Sequence, residues 1–144
     1  MKQKKFKIGF IGSGRIVGHH LKAIKKNKYF EPKAICDLII KKTEIYSKKY
    51  KLNSYDHYDK MLKNENLDVV AIVTPSGMHY EHAKKILKNY DVNLIVEKPT
   101  FLKTSQVKEI YELDISFIVS DRINACSSAV FIDSKFVLSC INLG

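Results

Sequence analysis

The stretch from Lys7 to Gly18 most narrows what this chain can become. Ile8 to Ile11 is an apolar run short enough for a buried strand; it breaks at Gly12-Ser13-Gly14, and Ile16, Val17, Leu21 and Ile24 then recur at helical spacing. That pattern reads as a strand, a tight turn and a helix. In such a turn Gly12 allows the bend, Gly14 lets the backbone approach a pyrophosphate, and the unpaired N–H groups of the new helix face its negative charge. A strict version of the pattern has a third small residue at position 17, where this chain has Val17, with Gly18 one place later. A glycine turn without a ligand is the plain alternative. A second apolar run, Ala34-Ile35-Cys36, ends in Asp37, 23 residues after Gly14. A carboxylate near that offset can take both ribose hydroxyls of an adenosine and repels a 2′-phosphate, which argues for NAD over NADP. The alternative reading of Asp37 is a solvated strand-end aspartate.

At 144 residues the length is that of one domain with enough apolar content for a core. The net charge of +10 raises a nucleic-acid reading, but Arg15 and Arg122 are the two arginines among 25 basic residues. Base readout and bidentate phosphate clamping lean on guanidinium groups, so dispersed lysines such as Lys22, Lys41, Lys60 and Lys108 read as a solvated surface. A nonspecific, salt-sensitive attraction to polyanions is the most they imply. Cys36, Cys126 and Cys140 are odd in number and widely spaced, which fits reduced thiols in a cytoplasmic protein. The N-terminal apolar run is too short for a signal core or a membrane span, so no membrane partner is expected.

Along the chain, the first helix should fade near Asn27-Lys28, and Glu31-Pro32 should lead into a strand over Lys33 to Asp37. Residues 39–50 read as a helix, Leu52 to Tyr55 as a link, and Asp56 to Lys63 as a short helix with Tyr58, Met61 and Leu62 inward. Leu67 to Val73 is a near-continuous β-branched run, the kind covered on both faces in a parallel sheet. A helix from Met78 to Lys88, a strand over Val92 to Val96, a helix capped by Thr104 or Ser105 and running through Leu113, and a strand over Ile115 to Val119 complete the alternation. The fold class expected is α/β, a doubly wound parallel sheet of Rossmann type. Ligands of such sheets sit at the carboxyl ends of the strands. Gly12 to Arg15, Asp37, Thr74-Pro75 and Glu97-Lys98-Pro99 each follow directly on a predicted strand.

The segments Gly9-Phe10-Ile11-Gly12-Ser13-Gly14-Arg15-Ile16, Asp68 to His79 with Thr74-Pro75, and Val96-Glu97-Lys98-Pro99 together resemble the glucose-fructose oxidoreductase and inositol dehydrogenase family, Gfo/Idh/MocA. The resemblance runs over residues 5–125 and is strongest to the sugar-nucleotide dehydrogenases of that family. It implies NAD as cofactor, a sugar or sugar-nucleotide substrate, and a homo-oligomer for a full-length member. It implies cofactor contacts from Gly9, Ile11, Gly12, Ser13, Gly14, Arg15, Ile16 and Asp37, with Thr74, Pro75 and His79 lining the path from the adenosine ribose to the nicotinamide. Glu97 and Lys98 would reach the nicotinamide and the sugar, and Pro99 would follow a cis bond. Lys98 is the catalytic candidate, since an amine there can hydrogen-bond the substrate hydroxyl and help its proton leave as hydride passes to the ring; the alternative is one more surface lysine. His79 with His82, even with His19-His20 added, lacks a recognisable metal spacing, and no metal is expected.

Members of that family carry a second domain that builds the substrate pocket, whereas this sequence stops at Gly144. The expected organisation is a dinucleotide-binding domain over 1–122, with Arg122 at the family's arginine position, followed by a truncated start of the substrate domain over 123–144. A hydride-transfer site needs both walls of its cleft, so cofactor binding is expected and turnover is doubtful. Phe136 to Ile141 would lack most of its partner strands, and an unpaired apolar edge invites self-association. The runner-up reading is a stand-alone, non-catalytic NAD-binding or sensing module; a lysine-rich nucleic-acid binder trails both.

Overall fold

The computed structural model describes residues 5–113 and 137–139. They fall into two compact units divided between Thr74 and Pro75.

The first unit runs β1 (Phe6–Ile11), α1 (Arg15–Lys26), β2 (Phe30–Cys36), a 3-10 turn (Ile40–Thr43), α2 (Glu44–Tyr50), β3 (Asn53–Tyr55), α3 (Tyr58–Asn64) and β4 (Val69–Ile72). Its strands lie in the order β3-β2-β1-β4, and every pairing is parallel. All four residues of β4 are buried, as the β-branched run requires of a strand covered on both faces. Val17 and Leu21, one helical turn apart, are fully buried on α1, and Lys25 and Lys26 occupy its last turn, where positive charge suits the helix dipole. With Ile8, Phe10, Ile35, Met61 and Val70 they form the core. Each such apolar side chain contributes about 1.5–3 kcal/mol on burial.

Three segments differ from their sequence patterns. Leu52 to Tyr55, expected as a link, contains β3, which pairs Ala34 with Asn53 and Cys36 with Tyr55. A three-residue strand is too short to show alternation. The helix expected over residues 39–50 begins as a 3-10 turn and ends at Lys51, whose left-handed φ of 57° terminates it. β2 starts earlier than expected and takes in Pro32; opposite Ile8 and Gly9 the register skips Lys33, a bulge beside the residue that cannot donate to the ladder.

The second unit contains a 3-10 turn (Ser76–Met78), α4 (His79–Asn89), β5 (Asn93–Val96), α5 (Thr104–Leu113) and β6 (Val137–Ser139). His79, Ala83, Ile86 and Leu87 are the buried stripe of α4. Lys84 pairs with Glu109 at 2.5 Å, and Tyr80 donates to the same carboxylate, linking α4 to α5 through three half-buried side chains. Thr104 is already helical; the start of α5 is closed by the Gln106 side chain, which accepts from Leu102 N and Lys103 N, both at 3.1 Å. β6 pairs in parallel with β5, Leu94 opposite Val137 and Val96 opposite Ser139, so this part of the 136–141 strand has a partner that its sequence did not suggest. The strand expected over 115–119, Arg122, and the helix expected over 124–131 lie outside the described residues.

Candidate functional site

The carboxyl ends of β1, β2 and β4 are level, with Ile11 opposite both Cys36 and Ile72. From β1 the chain builds outward through β2 and β3, then returns to β1's other side with β4. The strand order therefore reverses between β1 and β4, the place where open parallel sheets bind ligands. The glycine turn stands there. Gly12 has φ 98°, and a Cβ on it would lie 2.9 Å from Val73 O and 3.1 Å from Thr74 N, so the turn lies against the chain leaving β4. Gly12 N also donates to Cys36 O at 2.8 Å, joining the turn to the end of β2.

Gly14 is different. Its backbone is extended at the start of α1, no side chain caps the helix, and no acidic residue lies in the first turn. A Cβ on Gly14 would meet nothing within 4 Å. An uncapped helix start presents N–H groups without intrahelical partners, and here the approach to them is open. These features fit a pyrophosphate. Tyr46 on α2 donates its hydroxyl to Gly14 O at 3.1 Å, and its ring sits 3.4 Å from where a Gly18 Cβ would be. The third small residue thus serves the packing of α1 against Tyr46, while Val17 fills the core. Tyr46 was not evident from the sequence, because nothing local marks a tyrosine 32 residues away as a partner of the turn.

Ser13 N and Ser13 Oγ donate to Asp37 Oδ2 at 3.1 and 2.7 Å, and Ile39 N donates to Oδ1 at 2.9 Å. Partial burial pushes the Asp37 carboxyl up, but the bonds from Ser13 and Ile39, with the nearby Lys42 charge, outweigh it and hold the group below its usual value. Lys42 is a second participant hidden in a lysine-rich sequence. Arg15 and Ile16 are exposed on the first turn of α1, and Ile11 is buried at the end of β1. Gly9 lies within β1, between Ala34 and Val70, with Leu67 and Met61 over it. Thr74 is half-buried where β4 ends.

In the second unit Pro75 is exposed and leads into the turn before α4. The His79 ring is 1% exposed and its Nδ1 lies 3.0 Å from Pro99 O. A carbonyl oxygen only accepts, so Nδ1 carries the proton and donates. The contact ties the first residue of α4 to the turn after β5. The Lys98-Pro99 bond in that turn is cis. Glu97 is half-buried and accepts from Lys98 N at 3.1 Å, and Lys98 is exposed.

Residues 6–115 match the Gfo/Idh/MocA family, described as an oxidoreductase family with an NAD-binding Rossmann fold. The chain belongs to that family, and the matched part is its NAD-binding Rossmann domain. An uncharacterised oxidoreductase of Synechocystis sp. is 26% identical over 113 residues, covering 78% of this chain and 30% of that protein. The WlbA dehydrogenase of Chromobacterium violaceum, solved with NADH and UDP-GlcNAcA, superposes with a TM-score of 0.72 at 21% identity, over 78% of this chain and 33% of its own. The myo-inositol 2-dehydrogenase of Lactobacillus plantarum gives 0.68 at 26% identity, over 76% and 33%. This chain thus spans about a third of the length of these relatives. The strand order and these likenesses agree with the α/β parallel sheet expected from the sequence. No helix among the described residues is long and apolar enough to cross a membrane.

Proposed function

We propose that this chain is the nucleotide-binding part of an NAD-dependent dehydrogenase that takes hydride from a ring hydroxyl of a sugar or sugar nucleotide. The observation that carries the reading is an uncapped helix start, open at Gly14, beside an aspartate that Ser13 holds in place. The N–H groups at the start of α1 would receive the pyrophosphate, with Ile11, Gly12, Ser13, Arg15 and Ile16 around it and Gly9 shaping the strand beneath. Asp37 would accept from the adenosine ribose diol and disfavour a 2′-phosphate. Thr74 and Pro75 would line the path toward the nicotinamide, and the buried His79 would support it by holding Pro99 O. When bound, NAD supplies a ring that accepts hydride.

Lys98 is the group that would hydrogen-bond the substrate hydroxyl and help its proton leave, with Glu97 beside it. That WlbA was solved with a sugar nucleotide, and that another relative is an inositol dehydrogenase, support a polyhydroxylated ring as substrate. A homo-oligomer belongs to the same reading. A cytoplasmic setting belongs to the same reading, supported by three cysteines that are odd in number and widely spaced in the sequence.

Calorimetric titration with NAD tests the cofactor half, and absence of binding would overturn it. Lys98→Ala should leave NAD affinity within about twofold, since an exposed amine contributes little to uniform binding. It should abolish oxidation in a protein that also carries the substrate domain. A non-catalytic NAD-binding module would show the first result and no oxidation with or without Lys98.

A further inference from the structure

An ionised carboxylate offers about four lone-pair positions. On Asp37, both bonds at Oδ2 come from one residue, the N–H and the hydroxyl of Ser13, while Oδ1 accepts Ile39 N. Ser13 is 7% exposed although it lies in a turn next to an open glycine. A hydroxyl withdrawn from water and placed 2.7 Å from a charged oxygen is a strong, directional bond. Its effect is to fix the carboxylate, with Oδ2 turned to the glycine turn and Oδ1 keeping an acceptor position. We propose that Ser13 is the positioning residue for nucleotide choice: by fixing Asp37, its hydroxyl keeps a carboxylate edge where the adenosine ribose sits, admitting a ribose diol and turning away a 2′-phosphate. The inference rests on the reading of Asp37 under the proposed function.

A strand-end aspartate can tolerate a 2′-phosphate in two ways, by swinging aside or by taking up a proton. The Ser13 hydroxyl opposes the first through geometry and the second because it bonds to the charged form. Lys42 already acts on the Asp37 charge. With the carboxylate displaced, Lys42 would be left to favour a phosphate instead.

The test measures NADH and NADPH affinities by fluorescence titration for the parent, Ser13→Ala and Ser13→Thr, and follows the Asp37 carboxyl by carbon-13 NMR against pH without nucleotide. The parent should prefer NADH. Ser13→Ala should reduce that preference by about tenfold, the scale of one charged hydrogen bond. The Asp37 titration should move upward in the same variant, and Ser13→Thr, which keeps the hydroxyl, should restore both. Ser13→Gly serves equally should the alanine variant not fold. A preference within about twofold of the parent's, or an unmoved Asp37 titration, overturns the proposal while NAD binding stands. A parent that binds neither nucleotide overturns the cofactor reading, and the proposal with it.

Discussion

Gly12 and Val73 approach so closely that a methyl group on Gly12 would stand 2.9 Å from the Val73 carbonyl oxygen, at a φ of 98° that side chains rarely adopt. Gly14, two residues on, would carry a methyl group into open space. The two glycines of the turn therefore separate folding from binding. Gly12→Ala should lose about 2 kcal/mol or more, from left-handed strain together with a clash against backbone that cannot yield. Gly14→Ala should melt within a few degrees of the parent yet lose most NAD affinity, because the methyl group occupies the approach to the helix start. Thermal melts paired with NAD titrations check this, and equal destabilisation by both substitutions would refute it.

Asp37 should make the chain acid-sensitive in a particular window. Its folded carboxyl titrates below the ordinary aspartate value of 3.8. A depressed folded value contributes stability that is complete above the unfolded value and is lost as pH falls through the folded one. Urea midpoints should therefore fall more steeply below about pH 4 for the parent than for Asp37→Asn. Comparing the two curves cancels the other paired carboxylates, among them Asp56 with Lys60 and Glu31 with Lys33. Parallel curves would show that the Ser13 and Ile39 bonds do not favour the charged form.

What could be read in the sequence was local. The turn at Gly12 to Gly14, the buried run at Val69–Ile72, and the inward Tyr58, Met61 and Leu62 follow from residue type and periodicity, because each depends on its neighbours in the chain. The position of Asp37 followed from its offset from Gly14. What could not be read was which distant atom each group meets. The Tyr46 hydroxyl on Gly14 O spans 32 residues, and the His79 ring on Pro99 O spans 20. β3 has only three residues and owes its existence to pairing with Ala34 to Cys36. The cap of α5 went to Gln106 because its longer side chain reaches back to two N–H groups, while Thr104 is inside the helix.

Cys36 should be chemically silent until the chain unfolds. Burial, partly offset by the Gly12 N–H and reinforced by the Asp37 charge, pushes its thiol up to about 12. At pH 8 the thiolate fraction is then about one in ten thousand, and alkylation proceeds through the thiolate. With Cys126 and Cys140 replaced by serine, iodoacetamide should leave the native protein unmodified over hours and label it within minutes in urea. Rapid native labelling would mean that the end of β2 opens readily.

The buried His79 imidazole holds the turn that presents Lys98, and its replacement should be felt both in stability and at that turn. His79→Ala removes a fully buried ring and its bond to Pro99 O, at a cost of about 2–4 kcal/mol. His79→Asn places an amide nitrogen near the position of Nδ1, so it should recover about 1 kcal/mol of that loss by restoring a donor. Amide hydrogen exchange at Lys98 separates a local effect from a global one. Exchange there through local opening should accelerate about fivefold in His79→Ala, the share of the loss that belongs to the Pro99 contact, and should slow again in His79→Asn. An unchanged rate at Lys98 in His79→Ala would mean that the Pro99 contact stabilises the unit without ordering the turn.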